Sequence, residues 1–166
     1  MSHTRAATPA TGQAQASRLA RIRMSSLGAV IMLIIQFILG IIYNLYGTAP
    51  TAKKSVGMFS SPVIALHVIV AFLLIIAAVG QLVRAIGTRH MLTIWMSAVG
   101  LVAILAAFFA GIGFIGNGAA GASLGMALAF AVALAAYVVL VFALPSSTAP
   151  SSTAPSSSTA PSSPTT

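Results

Sequence analysis

The chain has 166 residues, 58% of them hydrophobic and only 5% charged, where a soluble domain carries about a quarter charged residues, so a water-soluble fold is excluded. Lysine and arginine total 8 with no aspartate or glutamate, so the net charge of +8 reflects missing acids rather than abundant bases. With no cysteine either, disulfides, thiolate metal sites, paired-carboxylate hydrolysis, carboxylate-held Mg²⁺ or Ca²⁺ and proton coupling through an intramembrane acid all fall away.

Residues 1–24 read as a basic, disordered N-terminal leader. Its only charges are Arg5, Arg18, Arg21 and Arg23, and Pro9 to Gln15 offer too little apolar surface to order themselves. Leu19 and Ile22 beside Arg18 and Arg21 suffice for one interfacial turn. The first apolar run, Leu27 to Leu45, is interrupted only by Gln36 and Asn44. It is long enough to cross a hydrocarbon core roughly 30 Å thick and exceeds the apolar stretch of about 7 to 15 residues in a signal peptide. A retained span over about 27–46 follows.

A loop from Gly47 to Ser61 holds Pro50, Lys53 and Lys54. Pro62 then opens a second span over 62–86, at a helix position where a missing amide proton costs nothing. Arg84, Gly87, Arg89 and His90 close it. The third span covers about 91–115 with Trp95 near its start, and the fourth about 123–144. Residues 25–144 are therefore expected to be all-α: a polytopic membrane protein with four transmembrane helices in an up-down bundle. From Pro145 the composition changes to Ser/Thr/Ala/Pro repeats, so 145–166 is read as a disordered tail.

Basic residues near span ends are retained in the cytoplasm. The leader and the second loop hold Arg5, Arg18, Arg21, Arg23, Arg84 and Arg89, six against Lys53 and Lys54 in the first loop. The expected protein is multi-pass in the cell membrane with both termini cytoplasmic, with Trp95 in the inner aromatic belt and Tyr43 and Tyr46 in the outer one. The tail resembles extracellular O-glycosylated stalks, which favours the opposite side; the charge rule, resting on an insertion mechanism, is preferred. Arg18, Arg21, Arg23, Arg84 and Arg89 suit anionic lipid headgroups, and no nucleic-acid-binding signature accompanies them.

In lipid, helices associate through small residues and a few hydrogen bonds. The third span carries Gly100, Ala103, Ala107 and Gly111 as one small stripe, the fourth Gly125, Ala129, Ala133 and Ala136, and Gly121 with Gly125 forms a literal GxxxG. Polar side chains share faces too: Gln36, Gly40, Tyr43, Asn44 and Gly47 on the first span, and His67, Ala71, Leu74, Ala78 and Gln81 on the second. His67 lies roughly 7.5 Å below the outer start of its helix. Tyr43, Asn44, His67, Phe114 and Asn117 thus meet in the outer half, with Gln36, Gln81, Thr93, Ser97 and Tyr137 deeper or further in.

A neutral imidazole in a span needs a hydrogen-bond partner, which Asn44, the Tyr43 hydroxyl or Asn117 can supply. One reading is that His67 and Asn44 fasten the first two helices together. The other is a cofactor site made by His67, Tyr43 and Asn44 and opening to the outer leaflet. Haem b, with His67 as iron ligand, is one occupant; a quinone or lipid headgroup is another. No second histidine lies at that depth, since His90 is at the opposite edge and His3 in the leader. Haem would need five-coordination, Met58 or Met126 as partner, or a homodimer.

With neither acids, thiols nor a nucleophile and base in pairing distance of sequence pattern, the chain reads as a non-enzymatic structural or accessory membrane subunit that meets a membrane-protein partner or a second copy of itself. A redox module at His67 is the alternative. A transporter or channel has no broken helix, ionisable pair or charged ring to support it, although Gly111 and Gly113 offer a place to unwind the third span.

The runs NLYGTAP from Asn44, LHVIVAFLLIIAAVGQLVRAI from Leu66, FFAGIGFIGNG ending at Gly118 and SLGMALAFAVALAAY ending at Tyr137 resemble small four-span membrane proteins common in actinobacteria and some other prokaryotes. The resemblance covers roughly residues 27 to 142 and implies the four-span topology. Where such proteins show FNG, this chain has Phe114-Ile115-Gly116-Asn117-Gly118, a displaced asparagine that argues against a direct role for Asn117. A looser likeness, by analogy alone, is to haem-carrying bundles of the cytochrome b561 or haem A synthase type, from which the missing second histidine departs.

Overall fold

The computed structural model describes residues 9–47, 50–51, 53–118 and 120–144. It is all-helical: α1 (Pro9–Tyr46), α2 (Pro62–Ile86), α3 (Met91–Asn117) and α4 (Ala120–Ala143). Each contains a segment long and apolar enough to cross a membrane. The Ser/Thr/Pro tail and residues 1–8 of the leader lie outside the described residues.

α1 corrects the reading of the leader, because the helix begins at Pro9 and runs unbroken for 38 residues. Proline is tolerated in a first helical turn, and alanine and glutamine in 10–20 favour helix without any apolar face. Leu19 packs against the bundle core and Ile22 is fully buried in it, so the extension is docked as well as intrinsically helical. Arg18 and Arg21 remain exposed beside them.

α2 starts where expected. Ser61 caps it, its Oγ accepting from the Ile64 amide at 3.3 Å, with Pro62 in the first turn. At the other end the Thr88 hydroxyl donates to the Ala85 carbonyl at 2.7 Å, and Arg89 adopts a left-handed φ of 54° to turn the chain into α3. α3 ends at Gly118, which has φ 66° and donates its amide to the Phe114 carbonyl at 2.8 Å. A β-carbon there would be strained and would also meet the Pro50 carbonyl, so glycine is required twice over. α4 begins about one turn before the expected Ser123.

α1 packs on α2, α2 on α3, α3 on α4 and α4 on α1, whereas the diagonal pairs stay apart among the described residues. Consecutive helices run in opposite directions. Ser26 meets Gln81 and Gln36 meets His67 between α1 and α2; Gly100 meets Tyr137 and Gly111 meets Met126 between α3 and α4. One end carries Arg18, Arg21, Arg23, Arg84 and Arg89 and is called the basic end here. At the loop end, the Val56 amide donates to the Ile115 carbonyl of α3 at 3.0 Å.

The small stripes work as expected, with one exception. Ala103, Ala133 and Ala136 are buried, and the Cβ directions of Gly113 and Gly125 point at the Ala122 and Ala110 methyls at 4.0 Å. Gly121, the first glycine of the GxxxG, faces nothing within 4 Å, so that pair is not a packing motif here. Large apolar side chains such as Ile31, Ile38, Leu73, Ile76, Val102 and Phe142 point outward. An exterior of this kind suits lipid and not water.

Candidate functional site

The helices do not close the loop-end half. A partly open cavity of about 300 Å³ lies there, with walls from all four helices and from Met58 of the 47–61 segment. His67, Tyr43 and Asn44, the residues singled out from sequence, all line it, as does Phe114. Asn117 closes α3, and its side chain lies outside the described residues.

His67 sits half-buried in the second turn of α2 because its helical face, continued by Ala71 and Leu74, is the one turned to the cavity. Opposite it is Gly40 of α1, where an ideal Cβ would stand 3.6 Å from Cε1, an ordinary van der Waals contact. Nδ1 is buried and finds no partner among the described residues.

Gln36 was expected deeper in the bundle and instead lines the same cavity. Its Nε2 donates to the main-chain carbonyl of His67 at 3.1 Å, while its Oε1 is buried without a partner. The signal was its position on one face with Gly40 and Tyr43. Its depth differs from the expectation because the helix ends are not flush: α1 continues ten residues past Gln36, whereas α2 begins five before His67.

The rest of the lining is apolar. Phe37 of α1 stacks on Phe130 of α4 with ring centroids 5.1 Å apart and planes at 17°, and Phe108 meets Phe72 edge-on at 5.2 Å. Met58 and Met126, the candidate second iron ligands, both belong to the lining. His90 is at the opposite end and shares a 3.1 Å hydrogen bond between Nδ1 and the Thr93 hydroxyl.

The remaining polar residues form a second cluster toward the basic end. Gln81 Nε2 donates to Ser26 Oγ at 2.7 Å, and that hydroxyl donates to the Ile22 carbonyl at 2.9 Å. Ser26, Gln81, Thr93 and Ser97 are all buried, with Tyr137 beside them. Arg84 Nη1 reaches Ser25 Oγ at 3.4 Å, which places its guanidinium beside the arginines of α1. No family model, curated protein or solved structure matches the chain.

Proposed function

We propose that this protein is a multi-pass protein of the cell membrane, an up-down bundle with both termini cytoplasmic, that serves as an accessory membrane subunit by holding a lipophilic small molecule in its loop-end cavity. The observation that carries the reading is the cavity itself: about 300 Å³, walled by all four helices, apolar but for Gln36, His67, Tyr43, Asn44 and Ser123. Apolar pockets with a few convergent polar groups are the usual form of a small-molecule site. The sequence supplies no carboxylate or thiol for chemistry of its own, so binding rather than turnover is the proposed activity. The arginines gathered at the basic end support its cytoplasmic placement against anionic headgroups, and the likeness to small four-span proteins agrees with the topology.

The direct test is solvent extraction and mass spectrometry of the detergent-purified chain, beside an Ala107→Phe variant that fills the cavity from α3. A stoichiometric lipophile in the first and not in the second is expected; equal, sub-stoichiometric lipid in both removes the reading. Reporter fusions at Thr51, at Gly118 and after Thr166 are expected to put the two loops outside and the tail inside, and glycosylation of the tail reverses that orientation.

A second reading, haem b held by His67, is favoured by one observation: Met58 and Met126 line the same cavity as the imidazole. His with Met is an established axial pair. A Soret band that shifts on dithionite reduction and disappears in His67→Ala is its signature, and a colourless protein from haem-replete cells eliminates it.

A further inference from the structure

The cavity wall holds two buried polar atoms that the fold leaves unsatisfied, and they restrict the chemistry of what can sit there. Gln36 spends its amide nitrogen on the His67 carbonyl at 3.1 Å. That contact fixes which way the amide is oriented, so the unpaired atom is Oε1, which only accepts. The second is His67 Nδ1, which donates or accepts according to the tautomer of a neutral ring. Polar groups cut off from water are nearly always bonded in native proteins; the Ser97 and Tyr137 hydroxyls are unpaired too, but of the four residues only Gln36 and His67, on adjacent helices, line the cavity, where a ligand can supply the partner.

Charge narrows the partner. Among the described residues lining the cavity there is no lysine or arginine to hold an anionic head, and the whole chain has no acid to hold a cationic one. The head is therefore neutral. It must carry a donor for Oε1, which excludes ethers, esters and oxidised quinones, since these only accept. A hydroxyl meets both atoms at once, its hydrogen going to Oε1 and its oxygen accepting from Nδ1–H. Phe37, Phe108, Phe114 and Phe130 line the same space and favour an aromatic ring by offset or edge-on contact. About 300 Å³ is the lower end of the range for ligand pockets and suits one ring better than a macrocycle.

We infer that the cavity takes a lipophilic hydroquinone, its hydroxyl bonded between Gln36 Oε1 and His67 Nδ1 as the apolar side chains covering those atoms shift aside, with the Gln36 amide keeping its Nε2 contact to the His67 carbonyl. This rests on the reading of the cavity as a binding site. Gln36 is then the residue that selects the reduced, hydroxyl-bearing form over oxidised or alkylated relatives.

The test uses the full chain in phosphatidylcholine nanodiscs, titrated with a decyl-1,4-hydroquinone and with its 1,4-dimethyl ether, after subtraction of partition into empty nanodiscs. The hydroquinone is expected to bind about tenfold more tightly, the worth of one buried hydrogen bond against an orphaned acceptor, and Gln36→Leu to bring the two ligands within about twofold. Equal binding by the wild type overturns the hydroxyl assignment and leaves the cavity a binding site. No binding of either ligand above the empty nanodisc overturns both. A folded Gln36→Leu that keeps the tenfold preference removes Gln36 from the assignment. If that variant does not accumulate, the oxidised quinone replaces the ether in wild type: a tenfold preference for the reduced form raises the midpoint of the bound couple by about 30 mV, and an unshifted midpoint overturns the inference.

Discussion

The two halves of the bundle use the same four helices and similar polar residues to opposite ends. Toward the basic end, Gln81 is bonded to Ser26, Ser26 to the Ile22 carbonyl and Thr93 to His90, and Tyr137 packs over Gly100, while the unpaired Ser97 and Tyr137 hydroxyls lie away from the cavity lining. Toward the loop end, Gln36 and His67 are brought together by one main-chain hydrogen bond and then left with unpaired atoms beside a cavity. Polarity inside an apolar helix therefore does not by itself mark a site. A side chain satisfied by its neighbours is a fastener, and one left wanting next to open space is a receptor.

The strongest way to break this contrast is to disturb the closed half at Gly100. An ideal Cβ there falls 2.9 Å from the Tyr137 ring, which is fully buried and would have to shift. Alanine normally stabilises a helix over glycine by roughly 0.5 to 1 kcal/mol, so the sign of the effect is diagnostic. Gly100→Ala is expected to lose about 2 kcal/mol or more through overpacking in SDS-driven unfolding from mixed micelles. Gly80→Ala, whose Cβ meets nothing within 4 Å, is the matched control and is expected to be neutral or stabilising. A stable Gly100→Ala would mean that α3 and α4 are not held by that contact.

The next effect is at the Gln81 to Ser26 bond. Interhelical side-chain hydrogen bonds in membranes average about 0.6 kcal/mol and reach about 1.7, and this one is short and buried. Gln81→Leu is expected to cost about 1 kcal/mol in the same assay, and little further when Ser26→Ala is already present. Additive losses in the double-mutant cycle would show that the two residues do not act as a pair.

Much of this half, and the membership of the other, was legible in the sequence. Periodicity put Tyr43, Asn44 and His67 on inward faces, and depth counting brought them to one end. The Ser61-Pro62 start of α2 and the small stripes of α3 and α4 followed from local rules. Three things did not. The start of α1 was hidden because Arg18 to Arg23 interrupt the apolar run, although alanine and glutamine carry the helix on and Ile22 docks it. Ser26, between the leader and the first span, carries no signal in the sequence that it is a buried hydrogen-bond partner of Gln81. The depth of Gln36 is not legible from helix ends, because α1 and α2 are offset along their axes and that offset is a matter of tertiary packing rather than of either helix alone.

A smaller effect probes the closed half for what it lacks. Ser97 Oγ and Tyr137 OH are buried there without partners, with Tyr137 and Ser97 fully buried. Removing an unsatisfied hydroxyl relieves its desolvation cost and opens little space. Tyr137→Phe is expected to gain about 0.5 to 1 kcal/mol in unfolding. A loss would reveal a partner for the hydroxyl, a trapped water above all, and would make this half as well bonded as its other contacts.

The smallest expected change in stability is at His67, and it separates the halves most sharply. Its ring makes no hydrogen bond through Nδ1, and the Gln36 contact runs to its main-chain carbonyl, which survives any substitution of the side chain. His67→Leu should therefore unfold within about 0.5 kcal/mol of wild type, because an orphaned polar atom is lost and an apolar side chain of similar bulk replaces it. The same variant should lose the extractable lipophile. If instead it unfolds as readily as Gln81→Leu and keeps its ligand content, the imidazole is a fastener like the glutamine across the bundle, and the loop-end cavity is a packing gap rather than a site.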